Sequence, residues 1–119
     1  MERSPRRITD SIERTQASAV TRQLHIREEA ELDVIYAVAW YEEQRPGLGV
    51  DFLIELDAVM QRMIQAPVQF PQIKAGVRRA LLRRFPYSVY FLASDEIIDV
   101  IAVLHQHRDP RTWEQRTKS

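Results

Sequence analysis

Two histidines two residues apart, His105 and His107, lie with Arg108 and Arg111 in the stretch LHQHRDPRTW, and Arg78, Arg79, Arg83 and Arg84 bracket the apolar residues of GVRRALLRRF. Imidazole gains and loses a proton near neutral pH, so His105 and His107 are candidate proton-transfer groups. Arginine presents a planar fork of donors matched to phosphate and carboxylate. Arg79, Arg83, Arg84 and Arg108 are therefore candidates for holding negative charge. An H-x-H pair near Asp99 or Asp109 has some of the material of a metal site. Two histidines are a thin ligand set, however, and no metal and no other cofactor is expected. The plainer alternative makes His105 a hydrogen-bonded strand-end histidine and pairs the arginines with helix acids such as Glu55 or Asp57.

The chain that must position these groups has 119 residues and is 45% hydrophobic, enough for one compact core and too little for two ordinary domains. It has no cysteine, which excludes a disulfide framework, a zinc-thiolate site and a cysteine nucleophile, and fits a reducing cytoplasm. No apolar run approaches the roughly 20 residues that span a bilayer, so no membrane association is expected. The net charge of zero conceals a segregation: residues 1–27 hold six basic and three acidic side chains, 28–66 hold two and nine, and 74–119 hold nine and five. Fifteen of the seventeen cations are arginine, a bias toward recognition over mere solubility.

The pattern divides the chain into an N-terminal extension over 1–20, flexible or weakly helical, a domain over 21–113 and a tail over 114–119. TRQLHI (Thr21 to Ile26) alternates as a short strand ending near Arg27. Glu28, Glu29 and Glu31 suit a helix N-terminus, and Leu32, Ile35, Tyr36, Ala39 and Trp40 recur at helical spacing to about Gln44. Those aromatic residues, with Tyr41, are expected in the core. RPGLG (Arg45 to Gly49) breaks the helix, and Phe52, Leu56, Val59, Met60 and Met63 stripe a second one that ends before Pro67. Three strands follow, at Val77 to Phe85, Tyr87 to Ala93 and Ile97 to His105, separated by Pro86 and by Ser94-Asp95-Glu96. In the last, Ile98, Val100, Ala102 and Leu104 share one wholly apolar face, which is expected to pack on the helices. Trp113 either closes the core or presents a stacking surface.

With Ala30-Glu31-Leu32-Asp33, Trp40-Tyr41-Glu42, Gly47-Leu48-Gly49 with Phe52, Pro67 and Pro71, Arg78-Arg79, Phe85-Pro86-Tyr87 and His105-x-x-Arg108-x-Pro110-x-x-Trp113 in this order, the chain resembles the RelE/ParE superfamily. These are toxins of bacterial type II toxin-antitoxin, or plasmid-stabilisation, modules. The resemblance covers about Thr21 to Trp113 and implies an α+β fold, β-α-α-β-β-β, with a helical hairpin packed on a small antiparallel sheet. It implies a growth-inhibiting cytoplasmic protein neutralised by a cognate antitoxin, with Arg78, Arg79, Arg83, Arg84, Arg108, Arg111 and Trp113 as partner- or nucleic-acid-binding candidates. ParE-like members poison DNA gyrase; RelE-like members cleave messenger RNA on the ribosome, for which His105, His107 and Arg108 would be the catalytic set in a metal-independent reaction. Ser88 stands where RelE has an arginine after the tyrosine of the middle strand, and the nearest aromatic to the C-terminus is Trp113 where RelE places a tyrosine. Both departures tilt the reading toward the noncatalytic, ParE-like activity. An inactive member that only binds an antitoxin is the third reading.

Overall fold

The computed structural model describes residues 22–117, so the extension assigned to residues 1–20 lies outside the described residues. The elements run β1 (Gln23–Ile26), α1 (Glu28–Gln44), α2 (Leu48–Gln65), a single 3-10 turn (Pro67–Gln69), β2 (Gln72–Lys74), β3 (Val77–Leu81), β4 (Tyr87–Ala93), β5 (Ile97–His105) and α3 (Arg111–Arg116). The strands form one sheet in the order β1-β5-β4-β3-β2, with the helical hairpin packed against it, so the α+β class holds. Three details depart from the sequence pattern. β2 forms a further strand, α3 runs through the boundary drawn at Trp113, and β1 lies parallel to β5, making the otherwise antiparallel sheet mixed.

The hairpin closes through Glu42, whose carboxylate accepts the N–H groups of Gly47 at 2.8 Å and Gly49 at 2.9 Å and so satisfies donors at the start of α2. Gly47 sits at φ +91°, which favours glycine, and a Cβ on Gly49 would fall 2.9 Å from the Val38 carbonyl oxygen of α1. Phe52, Leu56, Val59, Met60 and Met63 of α2 are buried, as their spacing predicts. Phe52 meets Tyr41, Phe85 and Tyr87 with ring centroids 5.1–5.5 Å away, so both aromatic residues of Phe85-Pro86-Tyr87 reach the core under the hairpin.

β3 ends at Leu81, four residues short of the expected limit. The Glu55 carboxylate accepts the backbone N–H groups of Arg83 and Arg84, which removes them from any strand ladder. The second correction concerns β5. Tyr90 pairs with Ala102 but Phe91 pairs with Val100, so Ile101 is an extra residue, a β-bulge. A strand's side chains alternate strictly, and one inserted residue exchanges the faces beyond it. Ile98, Val100 and Val103 consequently pack on the helices, whereas Ile101, Ala102 and Leu104 pack on the opposite face with Val77, Tyr90 and Trp113.

Asp33 and Arg116 meet the bulge from the two sides. Asp33 accepts the Val103 N–H at 3.0 Å, Arg116 donates to the Ile101 carbonyl at 3.1 Å, and the two side chains pair at 2.7 Å. α1, β5 and α3 are thereby tied at one point. Asp33→Ala would leave the half-buried guanidinium and the Val103 N–H without this partner, and is expected to cost about 2–3 kcal/mol. Urea unfolding measures it; a loss below 0.5 kcal/mol, about that of an ordinary surface substitution, would show that the pair does not hold the bulge.

Candidate functional site

The residues singled out from the sequence fall in separate places. Arg78 faces the helix side of β3, where it pairs with Phe91 and donates to the Phe70 carbonyl at 2.6 Å. Its neighbour Arg79 lies opposite Tyr90 on the other face, with its Nε buried and, among the described residues, without a hydrogen-bond partner. Arg83 and Arg84 occupy the β3–β4 connection against α2, and the Arg84 guanidinium pairs with Glu55 at 3.3 Å. The helix-acid partner considered for these arginines is thus realised for Arg84. Arg111 pairs with Asp109 at 2.7 Å, on its own turn and in solvent.

Trp113 is a correction. Its ring is 4% exposed and stacked on Tyr90 at 5.2 Å and 15°, so it closes the core beneath α3 and offers no face to a base or partner.

His105, Arg108 and Tyr87 do come together, in a cleft of about 230 Å³ also lined by Asp33, Tyr36 and Trp40. The His107 backbone N–H donates to Nδ1 of His105 at 3.1 Å. A backbone N–H can only donate, so Nδ1 is the bare nitrogen and Nε2 carries the hydrogen. The ring also rests edge-on against Tyr87, with centroids 5.5 Å apart. Burial pushes the Tyr87 hydroxyl above its usual range, the Asp33 carboxylate adds to this and Arg108 opposes it, so Tyr87 stays protonated at neutral pH. His107 is exposed with its ring 5.3 Å from that of His105. The carboxylates considered as metal partners are engaged elsewhere: Asp99 with His25 at 3.1 Å and Arg27 at 2.8 Å, and Asp109 with Arg111. The result is a strand-end histidine held in one tautomer, lining one cleft with Arg108.

The larger surprise is α1. Tyr36 and Trp40, expected in the core, are 69% and 55% exposed, and Leu32 and Ile35 of the same helix are exposed beside them, whereas Tyr41 is buried as expected. The face that packs inward carries Ala30, Ala37 and Tyr41 with Val34 and Val38 partly buried, since small side chains let the helix approach β5 closely. An apolar ridge therefore stands between the cleft of His105 and Arg108 and a groove of about 480 Å³ on the other side, lined by Leu24, Ile26, Ile35, Leu53, Leu56 and Met60 and edged by Glu31 and Asp57. Contiguous apolar surface of this kind marks an interaction site. The sequence signal for it was an excess of apolar residues on α1, more than one helix face can bury.

Two proteins described as Toxin ParE2, from two strains of Mycobacterium tuberculosis, are each 35% identical to the chain over 97 residues, covering 80% of it and 91% of their own length. The chain belongs to the ParE toxin family. No family model matches the sequence. A solved structure described as the chromosomal ParDE TA system from P. aeruginosa matches with a TM-score of 0.63 at 19% identity, covering 71% of this chain and 96% of the other, and so shares the fold.

In this ParE-family chain an ionic corner built on Glu55 lies across α2 from the groove. Desolvation alone would raise the Glu55 carboxyl, but the N–H groups of Arg83 and Arg84 and the Arg84 guanidinium together hold it below the ordinary glutamate range. A depressed folded value means stability that is present above the unfolded value of about 4.3 and lost as pH falls through the folded one. Glu55→Gln is therefore expected to lower stability near neutrality by about 1 kcal/mol, the corner being partly solvated. The gap should close in acid. Denaturant unfolding at stepped pH checks this; a gap that persists in strong acid would assign the effect to shape and remove charge from the account.

Proposed function

We propose that the chain is the toxin of a type II toxin-antitoxin pair, which arrests growth in the cytoplasm by binding DNA gyrase when free and is neutralised by a cognate antitoxin. The observation that carries the reading is the unpartnered ridge of Leu32, Ile35, Tyr36 and Trp40 on a ParE-family chain. An amphipathic segment of the antitoxin lies along this ridge and fills the adjoining groove, burying side chains that are otherwise held in water. Exposed rings of this size are also the side chains on which binding energy concentrates.

A noncatalytic action is supported by what surrounds the histidines. Messenger RNA cleavage through the 2′-hydroxyl needs a proton acceptor, a proton donor and cations gathered on one phosphate. Nδ1 of His105 is occupied, Ser88 is buried, and the arginines of β3 and the following loop are distributed over both faces of the sheet and the side of α2. Binding a protein target needs no such assembly.

Induction of the chain without its antitoxin is expected to stop growth with filamentation while translated messages stay intact. His105→Ala and His107→Ala are expected to retain that toxicity within a few-fold, whereas rapid message cleavage abolished by either substitution would replace the gyrase reading with the nuclease one. Trp40→Ser and Ile35→Asp are expected to remain toxic and to weaken antitoxin binding by about 30-fold each, equivalent to about 2 kcal/mol. Undiminished binding by both variants would move the antitoxin off this ridge.

A further inference from the structure

Across α2 from the apolar groove, the β3–β4 connection and the last turns of α2 enclose a second cleft of about 440 Å³, lined by Ile54, Glu55, Ala58, Arg62, Arg83 and Arg84. We propose that this cleft docks an acidic peptide segment that also carries apolar side chains, contributed by a protein partner.

The corner already shows its preference for carboxylate. Two successive backbone N–H groups, of Arg83 and Arg84, converge on the Glu55 carboxylate, an arrangement suited to an anion. Because that internal carboxylate fills the backbone donors, the loop is fixed and its side chains are directed to the rim. The Arg84 guanidinium is shared between Glu55 and the face of Phe85, 5.4 Å from the ring centroid. Among the described residues Arg62 and Arg83 form no ion pair, leaving three cations against one anion around the cleft. Unneutralised guanidinium groups delivered from two different elements call for a ligand with more than one negative group.

The floor decides which anion. Ile54 is 62% exposed, and with Ala58 it gives the cleft an apolar base between the arginines. Nucleic acid would use the cations but needs exposed rings on which to stack its bases, and the nearest ring, Phe85, is buried. A peptide alternating carboxylates with aliphatic side chains satisfies both the rim and the floor. Arg62 carries no signal in the sequence, since it is the single cation of α2 in an acidic segment and joins Arg83 and Arg84 only through the packing of α2. This site stands apart from the antitoxin reading, because α2 separates it from the ridge of α1.

The test uses the full chain and a fluorescein-labelled peptide of alternating glutamate and leucine, followed by anisotropy at low and at high salt. Saturable binding is expected, weakened by salt and by at least about tenfold in Arg62→Ala combined with Arg83→Ala. Both changes leave the backbone bonds to Glu55 in place, and an unchanged thermal unfolding midpoint confirms the fold. Ile54→Asp should weaken the same peptide, while Ile35→Asp on α1 should leave it bound, so failure here and failure of the antitoxin reading are separable. No binding, binding indifferent to the arginine substitutions, or tighter binding of an oligothymidylate strand through the same arginines would each overturn the proposal.

Discussion

A β-bulge leaves backbone polar groups out of the ladder, and buried polar groups without partners are costly enough that a fold must answer for each one. Here Ile101 is the inserted residue, and the answer comes from two charged side chains far apart in sequence, Asp33 on α1 and Arg116 on α3. Their ion pair spans the bulge, so the helix that covers one face of the sheet and the helix that covers the other are held by the same contact. The Arg116 carbonyl in turn receives Arg27 at 3.0 Å, and Arg27 pairs with Asp99, which carries the tie to the β1 edge. The exchange of faces at Ile101 is what supplies the second core cluster under Trp113.

That second cluster explains why Trp113 is unavailable to a ligand and why the exposed apolar surface lies elsewhere. With the far face of β5 closed by α3, the large apolar surface that remains in water belongs to the helical hairpin. α1 meets the sheet through alanines, valines and Tyr41 and turns Leu32, Ile35, Tyr36 and Trp40 outward, leaving on a surface helix the kind of apolar patch that marks an interaction site. Membership of the ParE toxin family supplies the context in which such a surface is expected.

Much of this was legible beforehand. α1 ends at Gln44, β4 spans Tyr87–Ala93 and β5 spans Ile97–His105, each as the periodicity and the punctuating residues indicate. These boundaries are local, set by Gly47, by Pro86 and by Ser94, whose hydroxyl accepts the N–H groups of Glu96 and Ile97 in the turn. Less legible were β2, three residues long and paired only with β3, and the true end of β3, which a carboxylate from α2 dictates. Neither leaves a mark in its own segment.

The sequence by itself determined the order of the main helices and strands, the segregation of charge and the family, because period, turn chemistry and motif order are properties of neighbouring residues. Only the tertiary structure decided which face of α1 is covered, on which side of the sheet Ala102 and Leu104 lie, and which cations gather into one cleft. Periodicity says which side chains share a face but not which face another element will cover. One inserted residue, answered by Asp33 from seventy positions away, reverses every assignment beyond it.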